Sequence, residues 1–259
     1  MLKCFCLLLA FGAPALAAPI DLSTAKLVDL THSYSSDTLY WPTSPGKFEH
    51  ETLAYGETPG GYFYSSYRFS TPEHGGTHMD APIHFYHNRD TVDQVPLKNL
   101  ILPVVVIDIR EQSAKDRNYR LMPDDIKTFE ADHGKIPADS AVLLFTGWDQ
   151  FWPDAKAYLG DDTPGDASNL SFPSFGSAAV DMLINNRNIR LIGIDTASID
   201  YGPSADFLVH QIVGRANIPA LENLKSLAKL PATGATLIAL PIKISGGSGG
   251  PVRAIAIIP

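Results

Sequence analysis

The chain has 259 residues, of which 45% are hydrophobic and 19% are charged, and its formal net charge at pH 7 is -8. This composition is typical of a globular protein and excludes a disordered or fibrous chain. The acidic balance, together with the lack of a basic cluster in the sequence, argues against nucleic acid as a partner, because phosphate binding favours a basic face.

Residues 1–18 are interpreted as a secretory signal peptide. They contain one cation, Lys3, followed by an apolar run over residues 4–11 and by Ala15-Leu16-Ala17, which is the order found in such leaders. The apolar run falls well short of the ~20 residues that span a bilayer. We therefore expect residues 19–259 to be one domain that works in the periplasm or outside the cell, with no membrane attachment after cleavage.

Both cysteines, Cys4 and Cys6, lie within this leader. Cleavage would leave no thiol, which excludes disulfides, thiolate metal sites and cysteine nucleophiles. Stability must then come from an apolar core, and a chain of this length buries roughly 70–75% of its unfolded surface.

Short apolar runs alternate with helical patterns along the rest of the chain. Continuous apolar runs predict strands that are covered on both faces, and they occupy residues 102–108, 141–146, 191–195, 236–240 and 252–258. Helices are predicted over residues 122–132, 174–186 and 219–230, with Pro123 and Pro219 in first turns. Residues 159–175, rich in Gly, Pro, Asp and Ser, predict a surface loop. The pattern predicts an α/β domain with a mixed central sheet or a barrel-like β core flanked by helices, and it does not fix the strand order.

Candidate chemistry concentrates in residues 74–87. Four of the eight histidines fall there: His74, His78, His84 and His87. Two glycines and a proline in this segment disfavour a helix, so we predict a loop that runs into a short strand. In that geometry His78 and Asp80, two residues apart, project to the same side, and the glycines let His74 approach them.

Two imidazoles and one carboxylate form a mixed nitrogen and oxygen site suited to Zn²⁺, Mn²⁺ or Fe²⁺. Three ligands leave coordination positions for water and substrate, which favours catalysis over a structural role. The alternative interpretation is that these are surface or hydrogen-bonding histidines, as most single histidines are. The clustering in a glycine-rich turn, with no Lys or Arg between His74 and Phe85, favours the metal site.

Residues 74–84, HGGTHMDAPIH, resemble the signature of the cyclase-like metal-dependent hydrolases, a family that includes bacterial kynurenine formamidase and isatin hydrolase. That signature is a histidine, a short Gly-Thr turn, a second histidine and an aspartate, then a proline and a further histidine. Further segments that resemble the family lie before and after the signature, in the family's order: residues 28–32 (VDLTH), 40–42 (YWP), 192–200 (IGIDTASID), His210, 221–224 (LENL) and 241–253 (PIKISGGSGGPVR).

The resemblance implies that His74, His78 and Asp80 bind a catalytic divalent metal, Mn²⁺ or Zn²⁺, and that His84 is the nearby acid and base. The implied reaction is metal-assisted hydrolysis, in which His84 moves a proton from water to the departing nitrogen. No serine nucleophile is needed, and the sequence contains no G-x-S-x-G elbow.

The resemblance also implies that His210 and Glu222 complete the site, either with a second metal or by orienting water and substrate. From the residues alone both are weak candidates, since a glutamate in the first turn of a helix and a lone histidine are usually structural. The family further implies a swivelling β/β/α fold, with a barrel-like β core flanked by helices, and a homo-oligomer.

The expected function is an amidohydrolase that cleaves a C–N bond in a small aromatic or cyclic substrate. Aromatic residues near the motif suit a flat ring: Tyr40, Trp41, Phe63, Tyr64, Tyr67, Phe69, Phe85 and Tyr86. A leader and a longer chain than that of kynurenine formamidases favour an isatin-hydrolase-like opening of a lactam, with deformylation of N-formylkynurenine as the alternative.

Two hypotheses from other classes stay open. His78, Asp80 and His210 have the composition of the iron facial triad of a 2-oxoglutarate oxygenase, although Arg215 is not followed by the expected x-Ser. A periplasmic metal- or solute-binding protein without catalysis is the other, although such sites are usually closed by protein ligands.

Overall fold

A computed structural model describes residues 20–259, so the predicted signal peptide lies outside the described residues. Its strands are β1 (Lys26–Asp29), β2 (Glu49–Glu57), β3 (Phe63–Ser70), β4 (His78–Asp80), β5 (Ile101–Asp108), β6 (Arg120–Leu121), β7 (Ala141–Phe145), β8 (Ser174–Phe175), β9 (Leu191–Ile194), β10 (Ala220–Glu222), β11 (Ala235–Pro241) and β12 (Gly249–Ile258). Its α-helices are α1 (Arg110–Lys115), α2 (Pro123–His133), α3 (Ala155–Leu159), α4 (Ser177–Arg187) and α5 (Leu208–Arg215). Short 3₁₀ helices occupy Pro82–His84, Leu97–Asn99, Trp148–Phe151 and Leu227–Lys229.

Seven strands close into a mixed barrel in the order β12, β11, β5, β7, β9, β10, β4 and back to β12. The run from β5 through β7 and β9 to β10 is parallel, and the remaining pairs are antiparallel. The long strand β12 closes the ring, because its first three residues pair with β4 while its later residues pair with β1 and β11. The predicted mixed, barrel-like β core is confirmed.

The barrel wall separates two apolar cores. Along β5, Val104 and Val106 face the first, inner core, whereas Val105 and Ile107 face the second, outer core. The second core also contains buried side chains of α2, α4 and α5. Side chains alternate between the two faces of a strand, so both faces of β5 are covered by apolar groups. This accounts for the continuous apolar runs in the sequence.

The predicted strands correspond to β5, β7, β9, β11 and β12, and the first predicted helix to α2. The second, predicted over residues 174–186, begins later as α4, because Ser174–Phe175 pair with β6 instead. Residues 159–175 are irregular, as expected, but Leu170 and Phe172 are buried with Trp148 in a third small core. This segment is therefore packed at its C-terminal end rather than wholly a surface loop.

The helix predicted over residues 219–230 is wrong. That segment forms β10 and the 3₁₀ turn Leu227–Lys229. Asn223 and Ser226 have φ of 54° and 61°, which is left-handed backbone incompatible with an α-helix. Leu221 and Leu224 are both completely buried in the inner core, so the leucine spacing reflects a strand and a turn inside the barrel rather than one face of a helix.

The β2–β3 hairpin was not predicted. It pairs Glu49 with Ser70 at one end and Glu57 with Phe63 at the other, as a separate two-stranded sheet. Most of its side chains are exposed on both faces. Among residues 20–259, none of the helices has the length and apolar character needed to cross a membrane.

Candidate metal centre

Strand β4 and its neighbour β10 place three functional side chains together. His78 and Asp80 project to the same side of β4, with His78 Nε2 lying 3.2 Å from Asp80 Oδ1. In the antiparallel β10–β4 ladder Glu222 lies opposite His78, and Glu222 Oε2 is 3.5 Å from the same Nε2. Glu222 Oε1 accepts a hydrogen bond of 2.9 Å from the Ile199 backbone N–H, which fixes the orientation of this carboxylate.

The glycine turn before β4 brings His74 back onto Asp80. Gly76 has φ of 56°, and a Cβ there would lie 2.7 Å from the Tyr34 ring, so both the conformation and the space require glycine. With the chain curled in this way, His74 Nδ1 lies 2.7 Å from Asp80 Oδ1. The loop leading into a short strand, expected from the sequence, is the observed geometry.

Helix α5 contributes His210 from the opposite side. The Asp200 carboxylate accepts the backbone N–H groups of Val209 and His210 at 3.0 Å each. It also lies 2.7 Å from His210 Nδ1, so the ring is held by the residue that caps the helix. The free Nε2 lies 3.3 Å from Asp80 Oδ2 and 3.2 Å from Glu222 Oε1.

Together these side chains form the metal-facing cluster: His74, His78, Asp80, His210 and Glu222. Two ligand triplets share Asp80, with the candidate ligand atoms of each triplet within 4.8 Å of one another. Metal–ligand bonds of about 2.0–2.2 Å in tetrahedral geometry separate ligand atoms by roughly 3.3–3.6 Å, close to the separations in this cluster. Asp80 Oδ2 is buried and accepts no hydrogen bond from residues 20–259. The cluster therefore fits a divalent cation.

The electrostatics of the cluster favour positive charge at its centre. Burial lowers the pKa of His78, but hydrogen bonding to Asp80 and the charge of Glu222 outweigh it and raise that pKa to about 9. Burial raises the pKa of Asp80, yet the surrounding imidazoles hold it well below its usual range. Burial also opposes charge on His210, but Asp200 and the neighbouring carboxylates raise its pKa well above the usual value. Protons and a divalent cation compete for such a site.

His84 stands apart from the cluster in its chemistry. Its ring stacks on that of His74 with centroids 3.7 Å apart, and it lines a cavity together with the metal-facing cluster. Burial is the main cause that lowers its pKa, to about 3. The ring is therefore neutral at physiological pH, with one nitrogen that carries a proton and one that can accept a hydrogen bond.

A cavity of about 340 Å³ opens above the metal-facing cluster. Its walls are mainly aromatic and aliphatic, with Trp41, Phe85 and Phe207 among them. Phe207 packs against the Phe85 ring at 5.2 Å and the Trp41 ring at 5.9 Å between centroids. Such a site accepts a flat apolar group and presents its reactive carbon to the cluster.

The sequence matches the Cyclase family over residues 28–201. The chain belongs to the cyclase family. It is 38% identical over 195 residues to an isatin hydrolase of Roseibium aggregatum, covering 72% of each chain. It is 31% identical to a kynurenine formamidase of Salinibacter ruber, covering 88% of this chain and 96% of that protein.

A solved structure of an isatin hydrolase bound to the product analogue thioisatinate has the same fold, with a TM-score of 0.83 and 32% identity. The match covers 92% of this chain and 94% of that one. The family resemblance inferred from the signature is thus confirmed. This cyclase-family protein is a hydrolase that acts on C–N bonds other than peptide bonds, and its His, Asp and Glu cluster fits a divalent metal.

Within this cyclase-family site, the structure brings together every residue predicted for it. His74, His78 and Asp80 meet at one point, and His210 and Glu222 face Asp80 from the other side. The location of Glu222 was predicted wrongly, since it lies on strand β10 and not in a helix. Hydrogen bonding along β4 explains its place, because Glu222 is registered opposite His78.

Several contributors to the site were missed. Asp200 lies in the 192–200 segment that resembles the family, but the sequence predicts no role for it or for Phe207. Phe207 has φ of 50°, an uncommon conformation for an aromatic residue, and such strain concentrates at functional sites. No local pattern in the sequence signals it. Of the eight suggested aromatics, Tyr40, Trp41 and Phe85 line the cavity, while those on β3 do not.

Proposed function

We propose that this enzyme opens the lactam ring of isatin or a closely related neutral cyclic amide. The proposal includes Mn²⁺ or Zn²⁺ as the cation, a location in the periplasm or outside the cell, and assembly into a homo-oligomer. The chemical neutrality of the cavity wall carries the choice of substrate.

The acidic side chains and histidines around the cavity all belong to the metal-facing cluster or to His84. Apart from the metal-facing cluster and His84, the lining residues between positions 20 and 259 carry no Asp, Glu, Lys or Arg. N-formylkynurenine bears an α-carboxylate and an α-ammonium group, and a desolvated charge without a partner is costly. Isatin is flat and uncharged, so it fits the aromatic walls without such a cost. This observation favours a lactam over the formamide.

The side chains around the cavity have different roles in the proposed reaction. A divalent cation in the cluster would supply Lewis acidity and make a water easier to ionise at neutral pH. Trp41 and Phe207 hold the ring and exclude bulk water. His84 takes a proton from the attacking water and returns it to the ring nitrogen as the C–N bond breaks. The water oxygen ends on the carbonyl carbon, giving a carboxylate and an aromatic amine.

The test is turnover by the purified mature chain, freed of metal and then supplied with Mn²⁺ or Zn²⁺. We expect loss of isatin absorbance only in the metal-replete samples, with N-formylkynurenine turned over at least 100-fold less efficiently. Rapid deformylation with isatin untouched would make kynurenine formamidase the function. Anaerobic turnover excludes the oxygenase, and the absence of hydrolysis across lactams, formamides and lactones would favour a non-catalytic binding protein.

The location and the assembly are tested separately. The leader at residues 1–18 supports export, and cell fractionation of the full-length protein should place it in the periplasm or medium, with an N-terminus near residue 19 by mass spectrometry. The exposed aromatic rows of the β2–β3 hairpin, among them Tyr55, Phe63 and Tyr67, support contact between copies, since a two-stranded sheet alone is marginally stable. Light scattering on wild type and Phe63→Lys should show an oligomer that the substitution weakens; a monomeric wild type would contradict it.

A further inference from the structure

The two nitrogens of His74 face different partners. Nδ1 lies 2.7 Å from Asp80 Oδ1, within the metal-facing cluster. Nε2 lies 2.8 Å from the hydroxyl oxygen of Ser248, in the turn between β11 and β12. The same hydroxyl lies 2.7 Å from Glu73 Oε2, and that carboxylate oxygen also accepts the Ser248 backbone N–H at 2.8 Å. Glu73, Ser248 and His74 therefore form one hydrogen-bonded chain that ends in the cluster.

The available protons fix which group donates and which accepts in each hydrogen bond of this series. A carboxylate only accepts hydrogen bonds, so the single hydroxyl proton of Ser248 goes to Glu73. The Ser248 oxygen is then an acceptor for His74, and the ring must carry its proton on Nε2. In the neutral ring Nδ1 is left with a lone pair that points at Asp80 Oδ1. Two acceptors 2.7 Å apart repel each other unless a proton or a metal cation lies between them, and a bound metal takes the place of that proton.

The backbone holds Ser248 in this position independently of its side chain. Its carbonyl accepts a hydrogen bond of 2.8 Å from the Ala81 N–H. The next residue, Gly249, pairs with Asp80 in the β12–β4 ladder, and a Cβ at Gly249 would lie 2.5 Å from His74 Cε1. The strand that supplies the Asp80 ligand thus also sets the place of the serine, and the missing side chain of Gly249 makes room for the ring.

We propose that Glu73 and Ser248 are positioning residues that fix the ring orientation and the proton-bearing nitrogen of His74, so that Nδ1 is presented to the metal. The other two rings of the cluster are held in the same manner by different groups. The Gly76 carbonyl lies 3.0 Å from His78 Nδ1, and the Asp200 carboxylate lies 2.7 Å from His210 Nδ1. In metal sites such outer partners orient the ligands and raise their basicity.

The decisive measurement is the Mn²⁺ dissociation constant of the mature protein, obtained by competition with a fluorescent chelator in the absence of substrate. Ser248→Ala removes only the hydroxyl and should weaken Mn²⁺ binding by about 10- to 100-fold, the usual effect of losing an outer partner. Glu73→Gln keeps an acceptor for the serine but loses the charge, so its effect should be smaller than that of Glu73→Ala.

A matched control separates positioning from folding. Ser140 is fully buried and its hydroxyl donates to the Pro137 carbonyl at 2.7 Å, before β7. Ser140→Ala should leave the Mn²⁺ dissociation constant within about twofold of wild type, whatever it does to thermal unfolding of the metal-free protein. Because Glu73 acts through Ser248, the double variant Glu73→Ala/Ser248→Ala should bind Mn²⁺ as Ser248→Ala does, with no further loss.

An unchanged dissociation constant for Ser248→Ala would overturn the proposal, and so would additive losses in the double variant. If Ser248→Ala does not unfold cooperatively, the Glu73→Gln and Glu73→Ala variants provide the test. The proposal is overturned if both of them bind Mn²⁺ as tightly as wild type. The inference rests on the metal centre and not on the choice of substrate. Normal Mn²⁺ binding with no isatin turnover would reject the proposed function alone, whereas the affinity losses would stand even if another amide is the substrate.

Discussion

The closed barrel and the β2–β3 hairpin use apolar side chains in opposite ways. In the barrel, Leu143 is completely buried between strands and belongs to the inner core. On the hairpin, Tyr64 is half exposed and Tyr55 is 71% exposed. The hairpin lies directly before the metal segment in the chain, yet most side chains that line the cavity come from residues 39–45, from residues around β4, from the start of α5 and from residues 222–223. Neighbourhood along the chain therefore does not by itself define the active site, because the pairing of β10 with β4 is needed to bring Glu222 to His78.

The largest effect on activity is expected from removing Asp80, the candidate metal-binding residue on strand β4. Asp80→Ala removes the carboxylate shared by both candidate ligand triplets, so it should abolish stoichiometric Mn²⁺ binding and lower kcat/KM by about three orders of magnitude or more. Metal analysis of dialysed protein and initial rates provide the measurement. Asp124→Ala, an exposed carboxylate on α2, is the control and should keep both. Turnover that survives in Asp80→Ala would remove the basis of the metal mechanism.

The difference between barrel and hairpin can be tested directly by replacing one side chain in each with alanine. Leu143→Ala leaves a cavity in the inner core and should lower the free energy of unfolding by about 2–5 kcal/mol. Tyr64→Ala should change it by about 0.5 kcal/mol or less in the monomer and act instead on the association of copies. Urea unfolding at several protein concentrations separates the two quantities. Equal losses from both substitutions would show that the hairpin is part of the cooperative core.

The predictable and unpredictable parts of the molecule differ for a physical reason. The strand runs at residues 102–108 and 141–146 could be recognised because both faces of β5 and β7 are buried, and the metal triplet because its ligands are close in sequence. The β10 segment was misassigned because its leucines pack by tertiary contacts and Asn223 adopts a left-handed backbone, which helix propensity does not register.

The distal half of the site needed more than local pattern. His210 and Glu222 could be placed only through the resemblance to a family, since their approach to Asp80 depends on the β10–β4 ladder and on the cap that Asp200 provides to α5. Phe207 carries no sequence signal, and Ser248 lies in the 241–253 segment that resembles the family but has no role that the sequence indicates. Their roles arise from a backbone conformation and from a turn between two distant strands, which are properties of the closed barrel.

A buried histidine beside the barrel makes a pH-dependent prediction. His32 stacks on Trp152 with ring centroids 4.2 Å apart. Burial is the main cause that lowers its pKa from 6.5 to about 4, and the charge of Lys225 adds to it. The unfolded chain therefore takes up a proton between about pH 6.5 and pH 4 that the folded protein does not, so stability is lost as the pH falls through this range.

Replacement by an uncharged residue isolates this contribution. When the pH is lowered from 7 to 4, the free energy of unfolding of wild type should fall by about 3 kcal/mol more than that of His32→Gln. Urea unfolding of both proteins at each pH gives the measurement, and carboxylates elsewhere cancel in the difference. Parallel pH profiles would show that His32 titrates alike in the folded and unfolded chains.

The smallest expected effect contrasts an aromatic ring of the cavity with one of the hairpin. Phe207→Ala removes a ring that packs against Trp41 and Phe85 over the cluster, and an aromatic contact contributes about 0.5–1.5 kcal/mol beyond its area. KM for isatin should therefore rise by up to about tenfold while kcat changes less, because the ring binds substrate without touching the reacting bond. Alanine does not relieve the left-handed φ of 50° at this position, whereas glycine adopts it without strain, so Phe207→Gly should be the more stable of the two variants.

Phe69→Ala on β3 removes an exposed ring outside the cavity. It should leave KM unchanged when assayed at a protein concentration that preserves the oligomer. If Phe69→Ala raises KM as Phe207→Ala does, the hairpin reaches a substrate site in the assembly, and the separation between the two regions holds only within a single chain.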